Sequence, residues 1–229
     1  MTAALALLEG ADVELVGRVA DSSNATFVVT LDGEHRAIYK PVRGERPLWD
    51  FPPGLHRRER AAHVLDRALG WDLVPPTVVR DDLPLGPGSL QWFVDADFRH
   101  HYFTLRDEPA HRRAFERICA FDVVVNNTDR KSGHCLVDDT GRIWAIDHGL
   151  TFHAEFKLRT VIWDFADQPL PGDVTDDLCR LLDTGLPEEL GELLDPIERD
   201  AVRTRARALV TRGRFPVDTT GRRWPWPLV

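Results

Sequence analysis

Residues 126–152 read NNTDRKSGHCLVDDTGRIWAIDHGLTF, and this stretch governs how the rest of the chain is organised. A polar loop, NNTDRKSG, leads into the short run HCLVDD, a turn at Thr140 and Gly141, and a second run, RIWAID. The pattern is loop, hairpin, loop. It puts Asp129 in the loop before the hairpin and Asp147 at its far end, followed by Gly149. Two carboxylates on either side of a hairpin suit phosphoryl transfer. One receives or orients the nucleophile's proton while the other holds a divalent metal that bridges phosphate oxygens. Gly149 would let the backbone turn sharply past that metal. The plainer reading has Asp129 capping a turn and Asp147 ending a strand, as aspartates commonly do. Features upstream weigh for the first reading.

Towards the N-terminus, residues 12–42 hold three short runs, VELVGRV, TFVVTL and HRAIYKPV, with DSSNA and DGE between them. Apolar and polar positions alternate in each run, which predicts an antiparallel three-stranded meander. After the linker RGERPLWDFPPGL, the run HRRERAAHVLDRALG places Ala62, Leu65, Ala68 and Leu69 at helical spacing and stops at Gly70. TVVR and SLQWFV then read as two more strands, so this part is a five-stranded sheet with one helix. Lys40 falls on the third strand and Glu59 lies 19 residues further on, near the start of the helix. A lysine on a central strand is costly unless its charge is paired. An ion pair to the helix glutamate would hold it towards a nucleotide's phosphates, whereas an edge lysine would simply snorkel. The loop DSSNAT, residues 21–26, offers backbone N–H groups and the hydroxyls of Ser22, Ser23 and Thr26 as a phosphate cradle, or is only a hairpin turn.

From Pro109 the pattern becomes helical, and AHRRAFERICAFDVVV presents Phe115, Ile118, Cys119 and Val123 on one face. A second lobe therefore starts near Asp95. Residues 173–213 are again helical in pattern and end in TTGRRWPWPLV, whose prolines forbid a regular helix. Trp224 and Trp226 are expected to pack back onto the domain rather than seat at a membrane surface.

With 229 residues, 43% hydrophobic and 29% charged, the chain is long and apolar enough for a substantial core, which argues against disorder and a disulfide scaffold. A net charge of −8 argues against a wholesale nucleic-acid or anionic-membrane binder and favours small-molecule or protein partners. Cys119, Cys135 and Cys179 form no C-x-x-C pair, consistent with a reducing compartment. MTAALALLEG has no basic n-region, and no apolar run is long enough to span a bilayer, so a cytoplasmic location is expected. The nine histidines show no H-E-x-x-H spacing, and GPGSL lacks the G-x-S-x-G order, which sets aside a zinc hydrolase and a serine hydrolase. Lysine occurs only at positions 40, 131 and 157, arginine carrying the remaining positive charge.

Taken in order over residues 13–152, the stretches DSSNATFVV, IYKPVRGERP, RERAAHVLDRALGWDLVPPT, GSLQWFV, NNTDRKSGH and AIDHGLTF resemble the protein kinase-like superfamily. Within it they are most similar to the phosphatidylinositol 3- and 4-kinase branch, and there to the type II phosphatidylinositol 4-kinases. The resemblance implies an α+β, two-lobed kinase-like fold. A small antiparallel-sheet lobe would cover residues 1–94 and a mainly helical lobe residues 95–229, with ATP and Mg2+ or Mn2+ in the cleft between them. It further implies that Ser22, Ser23, Asn24 and Thr26 face the phosphates, that Lys40 pairs with them, and that Glu59 anchors Lys40. Gln91, Trp92, Phe93 and Val94 would form the hinge beside adenine. Asp129 would be the catalytic-loop aspartate, Arg130 a support for that loop or for the transition state, and Asp147 the metal ligand. The chain departs from the pattern twice. Its nucleotide loop lacks the usual glycines, and His134 stands where the family carries a metal-binding asparagine, five residues after Asp129, so that His134 would hold the metal together with Asp147. Imidazole is a poor ligand for magnesium and a better one for manganese or zinc. The implied activity is transfer of the ATP γ-phosphoryl group to a hydroxyl of a lipid, a small molecule or a protein. A nucleotide-binding module without turnover, and an AMP transferase binding ATP reversed, would keep the same lysine and aspartates.

Overall fold

A computed structural model describes residues 2–20 and 24–229. The meander is present as β1 (Val13–Arg18), β2 (Phe27–Leu31) and β3 (His35–Pro41). With β4 (Thr77–Arg80) and β5 (Gly88–Trp92) it forms an antiparallel sheet in the order β1-β2-β3-β5-β4. Side chains alternate across a strand, so Ala37 and Tyr39 of β3 are fully buried on one face while Ile38 and Lys40 turn to the other and line a cavity. The buried face forms a core with Val29, Leu31, Val78 and Leu90, closed by Leu8. Leu8 belongs to a helix not predicted from the sequence, α1 (Thr2–Gly10). Arg80 donates to the carbonyls of Leu8 and Ala11 at 3.2 and 2.8 Å, satisfying groups at the end of α1 that its own turns leave open.

The predicted helix after the meander is α2 (Leu55–Leu69), stopped by Gly70 at φ 72°, whose amide closes on Asp66 and Arg67. Short α3 (Tyr102–Leu105) leads to α4 (Arg112–Val125), which buries Phe115, Ile118, Cys119 and Val123 as their spacing predicts. Next come the hairpin β6 (Cys135–Val137) and β7 (Ile143–Ala145), then α5 (Gly172–Thr184), α6 (Leu190–Leu193) and α7 (Pro196–Arg212). These helices share a second core, and the apolar face of α2, including Ala61, Leu65 and Leu69, is buried in it. Arg58 of α2 donates to Glu198 of α7 at 2.6 Å and to the Thr151 carbonyl at 3.1 Å. Arg60 bonds Glu189 at 2.6 Å and the Thr77 carbonyl on β4 at 2.5 Å. Helix α2 thus touches β4 and β5 on one side and is fastened to the helical half on the other.

The C-terminal segment runs without regular structure against this helical half, and the Leu228 carbonyl accepts the Ser132 N–H at 2.8 Å. Leu228 packs on the second core. The tail tryptophans do not behave as expected: Trp226 is 87% and Trp224 42% exposed, because backbone bonds and Leu228 hold the tail, not the indoles. No helix among the described residues is long and apolar enough to cross a membrane.

Candidate active site

A cavity of about 900 Å³ opens between the unburied face of the sheet and the helical half. That is near the upper end of ligand cavities, roughly 300–1,000 Å³. Its walls include Asn24 and Thr26 from the loop before β2, Lys40 from β3, Gln91 and Trp92 from the end of β5, Phe93 and Val94 from the link after it, Glu59 from α2, and Asp129, His134 and Asp147 from the loops around the hairpin. Residues far apart in sequence thus converge. Ser22 and Ser23 lie outside the described residues. Residues 24 and 25 are tied down, since Asn24 accepts the Arg46 N–H at 3.0 Å and the Ala25 N–H bonds the Gly44 carbonyl. Gly44 is needed there, because a Cβ would come within 2.6 Å of the Ala25 Cβ. Glu45, unmarked by the sequence, accepts the amides of Gly54 and His56 and shapes the entry to α2.

Lys40 donates to Glu59 and, at 2.6 Å, to Asp147. Burial disfavours its charge, but the Asp147 and Glu59 carboxylates outweigh that and hold the ammonium above the usual lysine range. Burial likewise opposes ionisation of Asp147, and Lys40 and His134 overcome it, keeping the carboxylate ionised well below the usual range. Asp147 sits at φ 60°, a left-handed conformation that aspartate tolerates better than most residues. Gly149 lies in a turn, as expected, without a left-handed backbone, and a Cβ there would meet Glu59 Oε1 and Leu55 Cβ at 3.4 Å, the tight end of ordinary contact.

Among the described residues no three His, Cys, Asp or Glu side chains converge on a metal position. An ion shared with nucleotide phosphates needs only one or two protein ligands, and Asp147 with His134 at 3.2 Å provides such a pair on the cavity wall. Burial pushes the His134 ring down to about 4, so it is neutral at pH 7, the form that binds metals. Its Nδ1 receives the Lys131 N–H at 3.4 Å, which leaves Nε2 as the donor towards Asp147. Asp147 is therefore the better-prepared ligand, His134 having to move its proton before it can join.

The loop carrying Asp129 is held from within. Asn126, at φ 56°, ends α4 and donates to the carbonyls of His153 and Glu155. Asn127 bonds Asp122 at 3.0 Å and accepts the Asp129 N–H at 2.9 Å. Asp129 faces the cavity, and burial lifts its carboxyl to about 6 against the pull of Lys131. Lys131 stands 3.3 Å from Asp129 and also lines the cavity. Arg130 does not. It is fully buried, forked onto Asp122 at 2.9–3.1 Å, and bonds the Ile146 carbonyl at 2.8 Å and His148 Nε2 at 2.8 Å. Of its two expected places, the structure gives Arg130 the interior of the loop and not the transition-state side.

The sequence pattern described as Phosphatidylinositol 3- and 4-kinase matches residues 62–198, more than half of the chain. The chain belongs to the phosphatidylinositol 3- and 4-kinase family. The match takes in residues 91–94, Asp129 and Asp147 and begins after Lys40 and Glu59. Protein Rv2133c of Mycobacterium tuberculosis is 36% identical over 97% of this chain and 94% of its own length. Among solved structures, the Golgi casein kinase with Mn/ADP bound superposes with TM-score 0.62 at 16% identity, over 100% of this chain and 80% of that one. Hydra Fam20 with sugar gives 0.57 at 15%, over 91% and 86%. The Helicobacter pylori proinflammatory kinase CtkA gives 0.52 at 11%, over 90% and 93%. At such identities the likeness carries the fold, and the fold of this family member is kinase-like.

Proposed function

We propose that this chain transfers the γ-phosphoryl group of ATP to a hydroxyl acceptor. The observation that carries the reading is Lys40, whose ammonium lies between Glu59 and Asp147 in a cavity that Asp129 also lines. Adenine would lie along Gln91, Trp92, Phe93 and Val94, with the phosphates between Lys40 and the loop of Ser22, Ser23, Asn24 and Thr26. Glu59 keeps Lys40 aimed, so phosphate charge is met without reorganising the site. Asp147, with His134 beside it, would hold Mg2+ or Mn2+, which supplies charge neutralisation at the bridging phosphate oxygens. Asp129 orients the acceptor hydroxyl and takes its proton, a task suited to a carboxylate that titrates near neutrality. Lys131 lies close enough to meet charge on the transferred group. Arg130 and Asp122 keep the loop in shape. A structural neighbour described with Mn/ADP supports nucleotide and divalent-ion use.

Incubation with ATP labelled separately on the α and γ phosphates, with magnesium and with manganese, in the presence of cell lysate, tests the reading. Label retained from γ supports it. Label from α would mean AMP transfer, and label from neither a binding module, and both outcomes overturn it.

A further inference from the structure

We propose that tail residues 226–229 form a working wall of the cleft that keeps solvent water from Asp129 and Lys131. The proposal rests on the phosphotransferase reading above. Pro227 and Val229 line the cavity, each also with solvent-exposed surface, while Leu228 between them packs on the helical core. The Leu228 carbonyl takes the N–H of Ser132, a fully buried residue three positions after Asp129 in the same loop. Further back, the Arg223 carbonyl accepts the Thr160 N–H at 3.1 Å and the Trp163 indole N–H at 3.2 Å. Asp218 accepts the amides of Thr220 and Arg223 at 2.9 and 3.0 Å and fixes the turn that starts the tail. The wall is thus anchored on both sides of its exposed Trp226. In the same cavity the Lys131 and Asp129 side chains are only 19% and 27% exposed.

A phosphotransferase must keep water from acting as acceptor. In that leak the water oxygen bonds to the γ-phosphorus, the bond to the β–γ bridging oxygen breaks, ADP leaves with the electron pair, and the water proton goes to Asp129. An open wall speeds the leak without disturbing the nucleotide's hinge.

The test compares the full chain with one lacking residues 225–229 and with the double variant Pro227→Gly, Val229→Gly. The chain has only three lysines, so brief acetylation with the N-hydroxysuccinimide ester of acetic acid, read by peptide mass spectrometry, reports Lys131 against Lys157. In both altered chains Lys131 should react at least fivefold faster and Lys157 within twofold of the full chain. Phosphate release from ATP should rise severalfold, with the ATP-dependent melting shift retained. Unchanged Lys131 reactivity overturns the proposal, as does unchanged or slower phosphate release where Lys131 has become reactive. If the shortened chain does not fold, the double variant decides by the same criteria. A full chain that shows no ATP-dependent shift overturns the nucleotide reading and the wall's role in transfer. Lys131 reactivity then still reports, separately, whether the tail covers the loop.

Discussion

Lys40 is where a single substitution should cost most. A ligand at 100 times its Kd adds ~2.7 kcal/mol to stability, so ATP should raise the melting temperature. Lys40→Met should largely abolish that rise. Lys157→Met should leave most of it, because Lys157 bonds the Asp50 carbonyl at 2.8 Å and does not line the cavity. Equal effects in a thermal scan would remove Lys40 from the phosphate site. The two aspartates should separate differently. Asp129→Asn should keep ATP binding and lower turnover by roughly 10²–10⁴-fold, whereas Asp147→Asn should weaken metal-dependent binding in calorimetric titration. Because burial lifts Asp129 to about 6, its ionised form is lost below that pH. Turnover should fall about tenfold per pH unit on the acid side, and a flat profile down to pH 5 would count against Asp129 as the base. The positions of Lys40, Glu59, Asp129 and Asp147 were legible because each sits at a distinctive place relative to strand, helix or hairpin. Arg130 was not, since a cation next to a catalytic aspartate looks the same on paper whether it faces a substrate or is buried on Asp122. The partnerships of Asn126, Asn127 and His148 were hidden for the same reason. Lys131 had one signal, the scarcity of lysine.

Helix α2 offers two tests that do not involve the ligand. Asp66 is fully buried at its C-terminal end and accepts the amides of Leu73 at 2.9 Å and Val74 at 3.0 Å. Burial raises its carboxyl from 3.8 to about 7. A raised folded-state value means that the stabilising contribution is fully present below about pH 4 and is lost as pH rises through 7. The loss is on the order of 4 kcal/mol. Urea unfolding from pH 4 to 8 should show this slope in the native chain and a flatter one in Asp66→Asn. In the other test, Glu198→Ala leaves the Arg58 guanidinium buried without its carboxylate and should cost ~3–5 kcal/mol. A cost under about 1 kcal/mol would show that this pair does not fasten the helix. Strand alternation and the Gly70 stop made the sheet and α2 readable in advance. Helix α1 was missed because TAALALLEG is apolar on nearly all sides and gives no amphipathic stripe.

The molecule has two cores, one under the sheet and one among the helices, and α2 is buried in the second while touching the first sheet's strands. Calorimetry should therefore give one unfolding transition, and two resolved transitions would show that the arginine contacts of α2 do not couple the halves. That the tail forms no regular helix was readable from its prolines. Where the tail comes to rest was not, since its docking uses the Leu228 and Arg223 carbonyls, groups that every residue possesses.

The fastening of α2 bears on how far Glu59 can move. Glu59 is flanked by Arg58 and Arg60, each bonded to a different part of the fold, so swinging Glu59 away from Lys40 would mean breaking two ion pairs, one of them buried, and two bonds to backbone carbonyls. Held in this way, α2 should show amide exchange that is equally slow with and without ATP.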